Sequence, residues 1–229
     1  MKTKLFLSNS EIADQEFLDF CSQHHFELHA KSLISFKPVD HDDNIDADVV
    51  FFSSPRSVDF FYKSLKDKNV SLAVLGSGTA TRLKALGFSP DFVGSASGNP
   101  DVVAKEFVHW LGKRTVLFPL SSRSNRSISS NIPKDQLKEI IVYETLTVPQ
   151  TIEVSQIYVF TSPSTVEAFL GLNTVPVDAV TIAWGKTTEK KMLEQGITPS
   201  FVLEISSLRE LERVLLKYLR AIMVFPPQV

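Results

Sequence analysis

Phe52-Ser53-Ser54-Pro55-Arg56-Ser57-Val58-Asp59-Phe60-Phe61 and Phe160-Thr161-Ser162-Pro163-Ser164-Thr165-Val166-Glu167-Ala168-Phe169 are two versions of one pattern, and their return decides the fold. Taken singly, Ser-Pro after an apolar run is ordinary helix capping: serine suits the cap and proline the first helical position. Two copies carry more. Further along, Gly76, Thr79, Leu83, Gly87, Pro90 and Phe92 align with Gly185, Thr188, Met192, Gly196, Pro199 and Phe201. The offset between the copies changes by only one residue from the first block to the second. A strand-turn-helix unit returning after half a chain implies two similar α/β domains that arose by internal duplication.

Outward from these blocks the same alternation continues. Lys4-Leu5-Phe6-Leu7, Val49-Val50-Phe51-Phe52, Leu72-Ala73-Val74-Leu75 and Val116-Leu117-Phe118-Pro119 read as short buried strands. Helical spacing covers Ser10 to His24 (Ile12, Phe17, Leu18, Cys21), with Ser10 as the expected cap. Further helices run from Pro55 through Leu65, from Gly76 to near Gly87, and from Asn99 to Leu111. Strand, small polar turn and helix in repetition call for parallel sheets with crossover helices. Two stretches differ. Glu27 to Phe36, broken by Pro38, and Ile140 to Leu146 read as extended strands with polar residues on both sides. Asp40 to Asp48 reads as a loop or short helix.

Composition narrows the function. The chain has 229 residues, 43% hydrophobic and 22% charged, enough for two small cores. No run of eighteen apolar residues occurs, so no membrane span is expected, and the apolar run after Lys4 is too short for a signal peptide. The single cysteine, Cys21, suits a reducing cytoplasm. A net charge of -2 argues against a nucleic-acid partner held by bulk basic charge. An anionic ligand must therefore be held locally.

The local candidates lie where strands give way to helices. Gly76-Ser77-Gly78-Thr79 lacks the third glycine of a dinucleotide loop, and Gly185-Lys186-Thr187-Thr188 lacks the earlier glycine of a phosphate loop. What remains is geometric: ligands of open α/β sheets sit beyond the carboxyl ends of the strands, against helix N-termini. Ser53, Ser54, Thr79, Thr161, Ser162, Ser164, Thr187 and Thr188 all fall there. Free backbone N–H groups and small hydroxyls suit carboxylates or phosphates. Histidines 24, 25, 29, 41 and 109 are scattered, without triad or metal spacing.

Read together and in order, Phe-Ser-Ser-Pro-Arg-Ser-Val (52–58), Leu-Gly-Ser-Gly-Thr-Ala-Thr (75–81), Val-Tyr-Glu-Thr (142–145), Val-Phe-Thr-Ser-Pro-Ser-Thr-Val (159–166) and Ala-Trp-Gly-Lys-Thr-Thr (183–188) resemble the uroporphyrinogen-III synthase family. The resemblance spans about Val49 to Leu203. It implies two flavodoxin-like parallel-sheet domains, one inserted in the other and joined by a two-stranded connector. Residues 1–34 plus 148–229 would form the discontinuous domain and 38–140 the inserted one. The connectors would lie at about 28–37 and 140–147, suggesting a hinge.

The activity implied is closure of the linear tetrapyrrole hydroxymethylbilane, which carries eight carboxylates, to uroporphyrinogen III. Water is lost and the D ring inverted, with no cofactor and no metal. A monomer is implied, and a transient partnership with hydroxymethylbilane synthase is a further expectation. Tyr143 matches the tyrosine of the family's Tyr-x-Thr motif and would donate a proton to the departing hydroxyl. Gly185, Thr187 and Thr188 match its Gly-x-Thr-Thr turn, and Ser162 and Ser164 its Ser-Pro-Ser turn, as substrate-binding groups. Ser54, Arg56, Ser77 and Thr79 form the matching rim of the other domain, where Arg56 would pair with a carboxylate bidentately. Arg123, Asn125 and Arg126 are further anion candidates after the Val116–Pro119 strand. The chain departs from the family at Ser8-Asn9-Ser10, where many relatives carry a Thr-Arg pair, and at the bulky Trp184. A hinged, noncatalytic binding protein for an acidic small molecule is the alternative reading.

Overall fold

The computed structural model describes residues 2–10, 14–66 and 69–224, with side chains through 220. The chain divides into two compact units, Met1–Ile34 with Thr147–Val229 and Ser35–Leu146. Both are α/β, each with a sheet whose core strands run parallel.

Unit 1 holds β1 (Thr3–Leu7), α1 (Gln15–Gln23) and β2 (Phe26–Ala30). Late in the chain it adds β9 (Ile157–Phe160), α5 (Pro163–Leu170), β10 (Val180–Ala183), α6 (Lys186–Glu194), β11 (Phe201–Val202) and α7 (Leu208–Val224). The sheet order is β2-β1-β9-β10-β11. Unit 2 holds β3 (Ile34–Pro38), β4 (Val49–Phe52), α2 (Pro55–Phe61), β5 (Ser71–Val74), α3 (Ser77–Ala85), β6 (Phe92–Val93), α4 (Pro100–Leu111), β7 (Val116–Ser121) and β8 (Leu137–Thr147). Its order is β3-β8-β7-β4-β5-β6.

Side-chain alternation explains why the strands read as unbroken apolar runs. Leu5, Leu7, Ile157 and Val159 pack on one face of the first sheet with Phe17 of α1 and Leu211 of α7. Phe6, Tyr158 and Phe160 pack on the other with Val166 and Phe169 of α5. In unit 2, Val49, Phe51, Val116 and Phe118 meet Phe107 of α4, while Val50, Phe52 and Leu117 meet Val58 and Phe61 of α2. Sheets covered on both faces leave no polar side to alternate with.

Helix ends repeat as closely as the starts. Ser54 caps α2 in a reciprocal capping box with Ser57, and Ser162 caps α5 in the same box with Thr165. After α3, Gly87 (φ +88°) sends its N–H to Lys84 O while Phe88 N–H reaches Leu83 O; after α6, Gly196 (φ +75°) and Ile197 do the same to Leu193 O and Met192 O. Such closures need a left-handed residue, which glycine adopts without Cβ strain.

Two expectations are corrected. The first helix starts later than expected: Asp14 is the cap, accepting from Phe17 N–H at 2.9 Å, while Ser10 Oγ bonds Ser32 Oγ at 2.9 Å. Both types cap well, and periodicity alone does not choose between them. Ile12 lies outside the described residues. The single strand expected over Glu27–Phe36 is two strands, β2 and β3, belonging to different sheets. Between them Leu33 is fully buried in the core with Phe6 and Phe169, which interrupts the extension.

Each sheet has a switch point, where successive strands leave in opposite directions: β1/β9 in unit 1 and β7/β4 in unit 2. The first is zipped to its end, through Leu7↔Val159 and then Ser8 N–H to Val159 O. The second stops at Val50↔Leu117, just before Pro119, which brings no N–H to continue the ladder.

Candidate active site

In unit 2 the end of β8 is re-aimed by a bulge. Leu120 pairs with Ile141 but Ser121 with Tyr143, so β8 advances two residues where β7 advances one. Tyr143 thereby packs with Val50, Phe52 and Phe61 on the α2/α3 side of the sheet, only 6% exposed. Its ring stacks on Phe60 of α2 (centroids 5.0 Å, 17°) and meets Phe36 of β3 edge-on (5.8 Å). Its hydroxyl lies 3.3 Å from Ser54 Oγ, the cap of α2. Two residues on, Thr145 Oγ1 shares a 2.8 Å hydrogen bond with Ser121 Oγ. Burial pushes the Tyr143 phenol above its ordinary value of 10.0, against the Ser54 hydroxyl, the Arg56 guanidinium and the Ser121 hydroxyl; the Asp59 carboxylate adds to the rise. The phenol is therefore protonated throughout the neutral range.

Arg56, in the first turn of α2, lies over the Phe36 ring (4.3 Å to the centroid) and donates to Asp59 at 3.4 Å. Around α3, Ser77 is exposed at the first helical position while Thr79 is buried. Beyond β7, Arg123 is exposed and its N–H reaches Ser121 Oγ at 3.2 Å. Asn125 Oδ1 accepts from Ser127 N–H at 3.4 Å. Arg126, at φ +55°, donates from Nε to Glu139 at 2.8 Å, and Ser129 Oγ donates to the same carboxylate. The charge of Arg126 is thus already met within the unit.

In unit 1 the matching turns are built from hydroxyls. Ser8, fully buried after β1, accepts from Thr161 N–H at 2.9 Å and donates to Thr165 Oγ1 at 3.1 Å. Thr165 in turn donates to Ser162 O at 2.8 Å. Ser8 thus ties β1 to the β9–α5 turn. Ser162 and Ser164 are half-buried. Gly185 caps α6 in an extended conformation and Thr187 is half-buried, whereas Thr188 is buried. Elsewhere in unit 1, burial, with Glu212 adding to it, pushes the Cys21 thiol up to about 12, so no thiolate is available there at neutral pH.

Within unit 2, Ser54, Arg56 and Tyr143 come together; Ser162 and Ser164 share one turn of unit 1 and Thr187 and Thr188 another. Sequence reading missed Phe36, Phe60, Ser121, Thr145 and Ser8. Only Thr145 carried a signal, since the Tyr-x-Thr spacing sets both side chains on one face of a strand.

No described helix is long and apolar enough to cross a membrane. Comparison with curated proteins gives no match. Among solved structures, uroporphyrinogen-III synthetase from Helicobacter pylori is similar with a TM-score of 0.64 at 20% identity, over 95% of this chain and 100% of that one. A mutant uroporphyrinogen III synthase from the extremely thermophilic bacterium Thermus thermophilus is similar with a TM-score of 0.59 at 15% identity, over 96% and 99%. At these identities the likeness shows the fold. The family model for uroporphyrinogen-III synthase HemD matches residues 16–211, most of the chain. By that match, the chain belongs to the uroporphyrinogen-III synthase family.

Proposed function

We propose that the chain closes hydroxymethylbilane to uroporphyrinogen III, a cyclising lyase reaction in heme and tetrapyrrole biosynthesis, and that Tyr143 is its proton donor. The family match carries the reaction. The observation supporting the residue is a buried, protonated phenol hydrogen-bonded to Ser54 beside the Arg56 guanidinium. Departure of the terminal hydroxyl leaves an electron-deficient azafulvene, which the substituted carbon of the last ring attacks. The spiro intermediate then reopens and recloses in the inverted sense. A phenol held near the leaving oxygen supplies the proton, and Arg56 stabilises the phenolate formed.

Unassisted closure gives the non-inverted isomer, so holding the chain's conformation matters more than acid strength. Carboxylates of the linear tetrapyrrole are read here by Ser54, Arg56, Ser77, Thr79, Arg123 and Asn125 in one unit and by Ser162, Ser164, Gly185, Thr187 and Thr188 in the other. Arg126 contributes least, being paired with Glu139. The two similar units are read as an internal duplication, the second inserted in the first, with connectors at about 28–37 and 140–147. We read the enzyme as a cofactor-free cytoplasmic monomer that receives its labile substrate from hydroxymethylbilane synthase, with no nucleic-acid partner. The test supplies hydroxymethylbilane made in situ and resolves the oxidised product isomers by chromatography. An excess of the type III isomer over spontaneous closure is expected; a background yield removes the catalytic reading.

A further inference from the structure

Asp59 of α2 accepts from two arginines. Arg56 reaches it at 3.4 Å from its own helix, and Arg82 Nε donates to its other oxygen from α3. Unit 1 repeats the acid–base tie between its corresponding helices, Glu167 of α5 with Lys191 of α6 at 3.0 Å. There the place of Arg56 is taken by Ser164. The tie between the two helices is thus present without an arginine at that place, with Lys191 also paired to Glu194 at 3.2 Å. Arg56 is the added member, and it turns Asp59 into a shared counter-ion. The same guanidinium lies over Phe36, which with Phe60 flanks Tyr143.

A carboxylate shared by two guanidiniums grips each less than it would grip one. A substrate carboxylate that takes Arg56 must displace Asp59, whose charge then needs another partner. We infer that Asp59 and Arg82 are positioning residues for Arg56: Asp59 parks the guanidinium over Phe36, and Arg82 keeps Asp59 neutralised when Arg56 turns to a carboxylate of the linear tetrapyrrole. This inference rests on the reading of Arg56 as a substrate clamp. The effect is modest because Asp59 is 22% and Arg82 45% exposed, where water screens charge.

The test measures KM and kcat with hydroxymethylbilane made in situ. Arg56→Gln checks the clamp itself and raises KM about tenfold, as loss of a charge-assisted pair should; an unchanged KM removes the clamp reading and the inference with it. Given that rise, Arg82→Gln raises KM about threefold with kcat unchanged, because Asp59 then grips Arg56 alone. The double variant Asp59→Asn with Arg82→Gln has a lower KM than Arg82→Gln, because no carboxylate then competes for Arg56. Lys191→Gln cuts the matching tie of unit 1 and leaves KM where it was. An Arg82→Gln enzyme with parental KM, or a double variant as poor as Arg82→Gln, overturns the inference while leaving the clamp standing. A second readout needs no substrate. Among the described residues, the charged groups acting on the Tyr143 phenol are Arg56 and Asp59 of α2, with uncharged Ser54 capping α2, Phe60 on α2, Phe36 from β3 and Ser121 from β7. Ultraviolet titration, taken as the difference from Tyr143→Phe, should show a lower midpoint in Asp59→Asn, and an unmoved midpoint counts against the coupling.

Discussion

The β4–α2 turn of unit 2 and the β9–α5 turn of unit 1 share backbone and caps but not chemistry. Ser54 with Ser57 and Ser162 with Thr165 form the same reciprocal box. Around the unit 1 turn, the contacts are among hydroxyls: Ser8, Thr161 and Thr165, sealed under the end of a zipped strand pair. Around the unit 2 turn, a bulge brings in a phenol, two phenylalanine rings flank it, and an arginine lies alongside. One scaffold thus carries a hydroxyl network at one turn and a buried phenol with a guanidinium beside it at the other. Location at a sheet's switch point is shared by both; what differs is the phenol that β8 brings to the unit 2 turn from beyond β7.

Four experiments break or sharpen this contrast. Tyr143→Phe keeps both ring contacts but removes the proton, and kcat should fall about a hundredfold. Formation of the type III isomer measures it, and undiminished turnover would return Tyr143 to a packing role. Next comes Ser8→Ala, which strands the Thr161 N–H and takes one donor from the Thr165 hydroxyl, still bonded to Ser162; we expect a loss of about 2 kcal/mol in urea unfolding. Ser121→Ala, at the half-buried counterpart in unit 2, should cost less than half of that, and equal losses would erase the distinction. Removing the caps tests sameness: Ser54→Ala and Ser162→Ala should each cost about 1 kcal/mol. Their kinetics should then part, Ser54→Ala lowering kcat through Tyr143 and Ser162→Ala raising KM. The smallest effect is with pH. The Tyr143 phenol is raised in the folded state, so its contribution to stability is whole below the ordinary value of 10.0 and drains away as pH climbs through the folded one. Unfolding followed from about pH 9 to 11 should therefore show a steeper loss for the parent than for Tyr143→Phe.

Much of this was legible because it is local. The capping boxes lie within four residues, the left-handed glycines mark helix ends, and strands buried on two faces are apolar without interruption. Tyr143 was legible through its motif alone. Its setting was not, because a register shift at Ser121 leaves no trace in residue type, and Phe36 and Phe60 reach the ring from distant parts of the chain. The two-residue strands β6 and β11 are too short for any periodicity to show. Ser10 and Asp14 were both acceptable caps, and only tertiary packing chose between them. The Arg56–Asp59 spacing, three apart on a helix, was visible; that Arg82 shares the acid was not, since it comes from another helix.

Pro119 has a kinetic meaning as well. Where β1 and β9 stay bonded to their ends, the amides of that seam should exchange only through wide opening of the unit. Where β7 and β4 part company before the proline, fraying can begin at the seam and stop there. Deuterium should enter unit 2 along that seam first, at a rate indifferent to denaturant, while the heart of the other sheet waits for global opening. A missing N–H in one strand thus marks where that sheet should first open.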